Sequence, residues 1–559
     1  MIRTSHITLG LKLGLLSLAG FLFACGGGGG SGSTESTTTT ITGSVVAAPV
    51  NGAELVVKDS NGITIAGPVT TGADGTYRVE IPNGAVGTAL LFESSGGTFK
   101  DEAMQQEGKA GLMAAYVDAD TYSAGQGVHL TPASTIVHHL MQNHGQTHVQ
   151  ARATFKNAFG FDVDTSIAPV DVTEATAAEA SESSRLAGLR AAAFSMLNMN
   201  LGLSVVASTD QFAMFVALAK DIVDGKFNGL DAAGIVIEIT DTKSLPADIQ
   251  NRFSHALAMM HAETVAKTGL TNDKIGSLPF AKTAVAGQFT VEYIPAKPMM
   301  NEVVGKTSFT LSIKNAAGEP AMDEMVSLMP MMHMATMTHA TPNEGCTMVD
   351  SAGKSVCTVY YSMASSMNGM SMGFWELKVM IGATMGVDAH GMPTMVGGET
   401  ATFYPDVMMA MGDTALTKLY GIGDTIMGMA MDGMDAMPEA RTYYLFNEGL
   451  MGGDFKLFLA AKENMMSFPG VSPDTLLKSG GTLPDLNTTG MKVEVSKDTT
   501  TGWQDAFSDG KGHWSAAGLG MANTLYVRVR INGEVKTTDG KDDVGTNSYT
   551  AFNFSAMSM

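Results

Sequence analysis

The chain has 559 residues, of which 45% are hydrophobic and 16% are charged, and its formal net charge is -21 at pH 7. This length and composition predict a folded chain with several hydrophobic cores and exclude an intrinsically disordered one. The acidic balance argues against nucleic acid and anionic membrane surfaces as partners, because both need a basic face.

The first 25 residues have the features of a secretory signal. Arg3 and Lys12 accompany an apolar run that is too short for a membrane span and ends in Leu-Phe-Ala-Cys. This ending resembles the lipobox of bacterial lipoproteins, which implies cleavage before Cys25 and attachment of lipid to its sulfur. Because Gly26 stands where an aspartate would retain such a lipoprotein at the inner membrane, we expect an outer-membrane position, on the periplasmic face or at the cell surface. An ordinary signal peptide is the alternative.

Residues 26–40, GGGGGSGSTESTTTT, predict a flexible tether. From 41 to 107, alternating β-branched residues with Asn-Gly and Asp-Gly turns predict a small antiparallel β-sandwich. The run GSVV, GAELVVKDSNG and TTGADGTYRVEIP resembles the carboxypeptidase regulatory-like domain, a non-catalytic spacer and recognition module of secreted bacterial proteins.

Residues 108–286 predict an all-α domain. In LTPASTIVHHLMQNHG, Thr131 is the expected N-cap, Pro132 the first helical residue and Gly145 the stop. Another helix is expected to open at Pro246 and to stop at Gly269. The segments LTPASTIVHHLM and LAKDIVDGKFNG resemble a helical module of bacterial surface lipoproteins. The histidines between 129 and 148 do not converge by helical spacing, so they predict no metal site.

Strand patterns return from 287 to 405. The order TSFTLSIKNAAGEPAMDEMVSLMPMMHM, a hairpin, and GFWELKVMIG resembles the YtkA-like/FixH-type immunoglobulin-like domain. In that family a strand ends in a Met-Pro-Met-rich turn near a histidine, and a later Gly-x-Trp-x-Leu-x-Val strand completes the sheet. Trp375, Leu377 and Val379 fit this strand and share one face by the period of two. Family members are small exported or membrane-anchored domains, several of them tied to copper handling or oxidase assembly.

Residues 406–559 predict a further β-sandwich that begins with a methionine-rich segment. The expected fold class is therefore multi-domain and mixed: a β-sandwich, an all-α module, and two β-sandwich (immunoglobulin-like) domains. With Cys25 lipidated, Cys346 and Cys357 remain, and an exported pair flanking a hairpin predicts a disulfide. Two free thiolates in a metal site are the alternative.

Methionine is the most unusual feature of the sequence, because 26 of the 42 methionines lie between residues 299 and 437. Many adjoin Gly, Ser, Asp or Pro in turn-like sequence, where there is little core to fill, and thioethers with imidazoles suit a soft ion such as Cu(I). Pro330 is expected to end strand pairing so that the following segment can wrap an ion. The candidate metal ligands lie in the stretch MPMMHMATMTH and are Met329, Met331, Met332, His333, Met334, Met337 and His339.

No spacing of catalytic residues indicates an enzyme. We expect a non-catalytic, lipid-anchored envelope or surface protein that binds Cu(I) for sequestration, or for delivery to a copper-accepting partner. Assistance to a respiratory protein is implied by the family resemblance alone. The alternative is a structural or adhesive surface lipoprotein whose methionines serve packing or the scavenging of oxidants.

Overall fold

The computed structural model describes residues 37–119, 126–206, 209–297, 301–382, 384–387, 393–429, 435–542 and 545–555, with only the backbone described for 384–387 and 393–396. The predicted signal peptide, Cys25 and most of the tether lie outside these residues. The described part is a multi-domain, β-rich fold with a small helical module, which confirms the predicted fold class. None of the described helices is both long and apolar enough to cross a bilayer.

The first sandwich consists of two main sheets, in the strand orders β4-β1-β9 and β3-β2-β5-β8, and a β6-β7 hairpin. Its strands are β1 (Thr38–Val45), β2 (Glu54–Asp59), β3 (Thr64–Thr70), β4 (Thr76–Pro82), β5 (Leu90–Ser95), β6 (Thr98–Lys100), β7 (Glu107–Lys109), β8 (Met113–Val117) and β9 (Val128–Leu130). Strands β8 and β9 lie in the segment that the sequence assigned to helix. The sequence of β8, MAAYV, contains good helix formers, and β9 has only 3 residues, so neither gives a clear strand pattern.

The helical module follows directly. It contains α1 (Pro132–His144), α2 (His148–Phe159), α3 (Glu182–Asn200), α4 (Asp210–Ile222), the short strands β10 (Glu238–Thr240) and β11 (Lys243–Ser244), and α5 (Ile249–Thr268). The predicted ends of α1 are confirmed: the Thr131 side chain caps the helix in a capping box, and Gly145 ends it with φ 66°. Helix α5 stops at Gly269 as predicted but begins at Ile249, because the chain first makes a turn in which Ile249 N–H donates to Pro246 O.

The first sandwich and the helical module share one hydrophobic core. Phe99 of β6 packs edge to face on Phe212 of α4, with ring centroids 6.0 Å apart. The same core takes in Phe374 and Tyr404 from the sandwich that follows. The first sandwich and the helical module therefore form a single packed unit, which also contacts the third domain.

The third domain is a sandwich with sheets β12-β13-β15-β19-β18 and β17-β16-β22-β25. Its strands are β12 (Thr283–Ala286), β13 (Phe289–Pro295), β14 (Glu302–Val303), β15 (Gly305–Lys314), β16 (Val326–His333), β17 (Thr338–Ala340), β18 (Asn343–Cys346), β19 (Lys354–Tyr361), β20 (Ser366–Met367), β21 (Met370–Ser371), β22 (Phe374–Ile381), β23 (Thr384–Val387), β24 (Pro393–Val396), β25 (Glu399–Phe403) and β26 (Val407–Met408). Trp375, Leu377 and Val379 of β22 are buried on one face in its core, as their spacing predicts.

The C-terminal domain is a sandwich with sheets β27-β28-β29-β35-β34 and β33-β32-β36-β37, and β38 also pairs with β36. Its strands are β27 (Leu416–Met427), β28 (Pro438–Met451), β29 (Asp454–Ala461), β30 (Leu476–Leu477), β31 (Leu486–Asn487), β32 (Lys492–Ser496), β33 (Gln504–Asp505), β34 (Phe507–Ser508), β35 (His513–Ala516), β36 (Thr524–Ile531), β37 (Glu534–Val535) and β38 (Thr550–Asn553). Alternating burial along β36 shows one face on the core and one toward solvent.

Aromatic and charged side chains join the third domain to the C-terminal domain. Tyr360 of β19 stacks on Phe458 of β29, with ring centroids 4.2 Å apart, and Phe446 of β28 completes this cluster. Beside it, Lys306 Nζ lies 2.5 Å from a carboxylate oxygen of Glu448. These contacts fix the relative positions of the two sandwiches.

Two buried histidines predict how the stability of the N-terminal unit depends on pH. His129 and His139 are 9% and 7% exposed, and burial lowers the pKa of each to about 4. Between that value and the ordinary 6.5, the unfolded chain binds protons at these two histidines that the folded chain does not, so their contribution to the free energy of unfolding falls as pH falls. We expect a loss of up to about 3 kcal/mol per histidine across this window.

Urea unfolding at stepped pH tests this expectation. Far-ultraviolet circular dichroism is the suitable signal, because the described helices all lie in this unit. The double variant His129→Gln/His139→Gln should depend less steeply on pH. An unchanged slope would show that neither histidine is buried in its neutral form.

Candidate metal centre

Strand β16 divides the predicted ligands between two faces. Met332 is completely buried in the core of the third domain, facing the same way as Trp375. Met329 and Met331 lie on the opposite face, where Met329 is 40% exposed and Met331 is buried. The seven candidate residues therefore do not form one site.

The prediction that Pro330 ends strand pairing is wrong. Strand β16 pairs with β22 along its whole length, and Pro330 lies opposite Leu377. On the other side, β17 pairs only with Met331, Met332 and His333. Pro330 therefore has a neighbouring strand on one side only, which is a position where a missing N–H is tolerated.

His333 faces a groove between β22 and helix α5, together with His255 and His261. Its Nε2 donates to a Glu376 carboxylate oxygen at 3.0 Å, and its Nδ1 accepts from Thr338 Oγ1 at 3.3 Å. Burial raises the pKa of Glu376, but this hydrogen bond and the interactions with Lys378 together outweigh burial and leave the pKa below its usual value. Because both nitrogens of His333 have protein partners, it is not a free ligand.

The remaining predicted ligands, Met334, Met337 and His339, lie outside the groove that His333 faces. A tight turn, in which Met334 N–H donates to Met337 O at 2.9 Å, reverses the chain from β16 into β17. Met334, Met337 and His339 all line a cavity of about 740 Å³ between the third and C-terminal domains. Three of the seven predicted residues thus come together.

Four further methionines, distant in sequence, line the same space, which we call the methionine cavity. Its thioethers and imidazole belong to Met334, Met337, His339, Met363, Met367, Met409 and Met465. Met465 comes from the C-terminal domain, and its carbonyl accepts from Ala340 N–H at 2.8 Å, which holds it beside β17. The only sequence signal for these four was the recurrence of methionine in turn-like segments. Their convergence depends on domain packing, which spacing does not reveal.

His339 is oriented as a ligand would be. Its Nδ1 donates to Ala340 O at 2.7 Å, which leaves the lone pair on Nε2 free to coordinate. Burial lowers the pKa of His339, and the positive charges of Lys418 and Lys462 lower it further, while the bond to Ala340 O opposes them. The imidazole is therefore neutral at pH 7, as metal coordination requires.

The charges around the methionine cavity disfavour a divalent ion more strongly than a monovalent one. Lys418 and Lys462 line it, and Asp413 is the only acidic residue among its described lining residues. A divalent cation meets twice the repulsion from these lysines that a monovalent one does, and six neutral thioethers provide no compensating charge. Hard ions also need oxygen ligands. The donor set fits Cu(I) or Ag(I).

Methionines in the enriched region are mostly not core residues. Within the described part of residues 299–437, only Met331 and Met332 are buried. The exposed ones are Met322, Met325, Met329, Met337, Met348, Met367, Met370, Met408, Met409, Met411, Met429 and Met437. Packing alone therefore does not account for the enrichment.

Neither cysteine of the described part contributes a donor to the cavity. Cys346 and Cys357 are directly opposite each other on β18 and β19 and are joined in a disulfide. Because both sulfurs are used in this bond, the alternative of two free thiolates does not apply to this structure. The disulfide links the strand that carries Tyr360 to its neighbour.

One other group of potential ligands is close enough to surround an ion. Among the described residues, Glu344, Glu448 and His513 are the only three histidine, cysteine or acidic residues whose ligand atoms lie within 4.8 Å of one another. Lys306 already forms an ion pair with Glu448, and the Tyr360 hydroxyl hydrogen-bonds to both Glu344 and Glu448. The group therefore serves as an ion-pair network between domains.

Comparison with known proteins adds no assignment. No family model matches the chain, and neither does any curated protein. The adhesin InvE of Yersinia pseudotuberculosis is similar over 47% of this chain and 58% of that chain, at 15% sequence identity and a TM-score of 0.14. The match spans less than two thirds of the adhesin chain, and so low a TM-score carries no argument about fold or function.

The two roles of methionine should separate in stability measurements. We expect Met332→Ala to lower the free energy of unfolding by about 2–5 kcal/mol, because it leaves a cavity in the core. Met337→Ala should change it by less than about 0.5 kcal/mol, since Met337 is 41% exposed. Urea unfolding followed by tryptophan fluorescence measures both. A comparable loss from Met337→Ala would mean that the cavity methionines are packing residues.

Proposed function

We propose that this protein binds Cu(I), and by the same chemistry Ag(I), in the methionine cavity, for sequestration or delivery and without catalytic turnover. The observation that carries the proposal is that six methionines, together with His339, whose Nδ1 is held by Ala340 O, line one cavity between two domains. Thioether and neutral imidazole are the donors that soft metal ions prefer.

The flexibility of methionine supports this use of an open cavity. Each thioether has three rotatable bonds before it, so several sulfurs can swing onto one ion from different walls. Met334 and Met363 pack partly against the core of the third domain, whereas Met337, Met367 and Met409 are exposed at 40% or more. The cavity thus combines fixed and mobile donors.

The cellular setting is part of the proposal. Lipidation of Cys25 would attach the chain to the outer membrane, with the folded domains held off the surface by the Gly/Ser/Thr tether. Metal would leave by ligand exchange to a copper-accepting partner that offers more or better donors. The disulfide between Cys346 and Cys357 is suited to an oxidising compartment.

Replacing the cavity methionines by leucine tests the proposal directly. Leucine keeps the volume and apolarity of methionine but has no donor atom, so folding should be retained. In the variant with leucine at Met334, Met337, Met363, Met367, Met409 and Met465, we expect affinity for Cu(I) to fall at least about a hundredfold. Competition with a coloured Cu(I) chelator under anaerobic, reducing conditions measures it.

A matched control has the same number of substitutions outside the cavity. It has leucine at Met322, Met325, Met348, Met437, Met451 and Met521, all of which are exposed. This control should bind Cu(I) as the wild-type chain does. Equal losses in both variants, or full affinity in the cavity variant, would contradict a site in the methionine cavity.

The pH dependence of binding should be weak. Thioethers do not titrate, and the lowered pKa of His339 keeps this ligand neutral until the pH falls below its ordinary range. We expect affinity for Ag(I) to change by less than about twofold between pH 7 and pH 6, measured by titration calorimetry in chloride-free buffer. A loss of about threefold or more over this interval would indicate a histidine ligand that takes up a proton at its ordinary pKa.

A small amphipathic anion is the second candidate ligand. It is favoured by Lys418 and Lys462, which lie beside the apolar side chains of Leu416, Tyr444 and Phe468 in the cavity wall. The leucine variant separates the two ligands, because it removes the metal donors and keeps the apolar wall. An organic anion would bind the variant normally.

A further inference from the structure

Three more methionines adjoin residues that line the methionine cavity without lining it themselves. Met370 lies opposite Met367 in the β20-β21 hairpin, and Met367 lines the cavity. In a second segment, Met408 precedes the lining residue Met409, and Met411 stands between two lining residues, Ala410 and Gly412. We call Met370, Met408 and Met411 the methionine rim.

The rim side chains are strongly exposed. Met370 is 66% exposed, Met408 51% and Met411 94%. Burying a methionine side chain stabilises a fold by about 1.5–3 kcal/mol, and these positions forgo most of that gain. Packing therefore gives no reason for methionine here.

Backbone hydrogen bonds hold the chain beside two of the three rim methionines, Met408 and Met370. Strand β26 pairs in parallel with β14, and Val304 N–H donates to Met408 O at 2.9 Å. Next to the hairpin, Met372 N–H donates to Ser365 O at 2.8 Å. Met370 and Met408 are thus mobile side chains on fixed supports, and each adjoins a methionine that lines the cavity.

We propose that the methionine rim is the exchange surface of the cavity: it takes a soft monovalent ion from a donor outside and passes it to the lining thioethers. This inference rests on the proposed function of the cavity. In each step one bond from the ion to a rim sulfur forms as one bond to the donor breaks, and no electron is transferred. Because the donor is too large to enter the cavity, the rim lowers the barrier to transfer without adding to the final affinity.

The partner that this surface fits presents a Cu(I) ion on an exposed group of soft donors. The rim itself carries no charge, and Asp413 follows within the same segment. Exposed thioethers approach such a group without the proton release that thiolate or histidine ligands would require.

Transfer kinetics test the rim independently of binding. A chelator that forms a coloured Cu(I) complex, bathocuproine disulfonate, serves as the donor in anaerobic stopped flow. The variant Met370→Leu/Met408→Leu/Met411→Leu should take up Cu(I) about tenfold more slowly than the wild-type chain, corresponding to about 1.4 kcal/mol of barrier. Its equilibrium affinity should remain within about twofold.

The control is the exposed triple variant Met322→Leu/Met348→Leu/Met521→Leu, which should transfer at the wild-type rate. Normal affinity together with control-like rates in the rim variant would overturn the exchange role and leave the cavity site intact. A rim variant that loses affinity as strongly as the cavity variant would also overturn it, because the rim would then be part of the binding site. Failure of the wild-type chain to bind Cu(I) would overturn both the rim and the proposed function.

Discussion

Tyr360 is the contact on which the candidate site depends. Its ring stacks on Phe458, and its hydroxyl lies between the carboxylates of Glu344 and Glu448, so that one side chain joins the apolar and the charged parts of the domain interface. An offset aromatic pair of this kind contributes about 0.5–1.5 kcal/mol beyond its buried area. Leu416 and Tyr444 pack against this cluster and also line the methionine cavity. The interface and the cavity are therefore two parts of one surface.

This arrangement explains why the donors come from so many segments. The third domain alone would present Met334, Met337 and His339 on an open edge, where water could hydrate an ion freely. The C-terminal domain adds Met465 and the wall beyond it, so that methionines of both domains line one cavity. A soft ion gains from such surroundings because its preferred ligands carry no charge and need no deprotonation. The two lysines in the wall then favour monovalent over divalent ions.

Local features of the sequence predict most of the fold. The capping residue Thr131, the terminal Gly145 and the alternation through Trp375 specify a helix and a core strand by rules that act within a few residues. Strand β8 was missed because an alanine-rich stretch fits either element. Pro330 was misjudged because its effect depends on whether a strand lies on both of its sides, which is a property of the sheet.

The site was only partly predictable for the same reason. The period of two places Met331 and Met332 on opposite faces of the strand. It does not show which of the two faces packs against the core. Met363, Met367, Met409 and Met465 reach the cavity through contacts between domains, and no short motif encodes such contacts. Composition predicted the residue type of the candidate site, and the structure shows which methionines line one cavity.

X-ray absorption at the copper edge of the Cu(I)-loaded chain tests the central claim most directly. Coordination in the methionine cavity predicts a first shell dominated by sulfur, with a single imidazole nitrogen from His339 and no thiolate, since both cysteines of the described part are in a disulfide. A first shell composed only of nitrogen and oxygen would contradict it, because thioethers would then take no part in holding the ion.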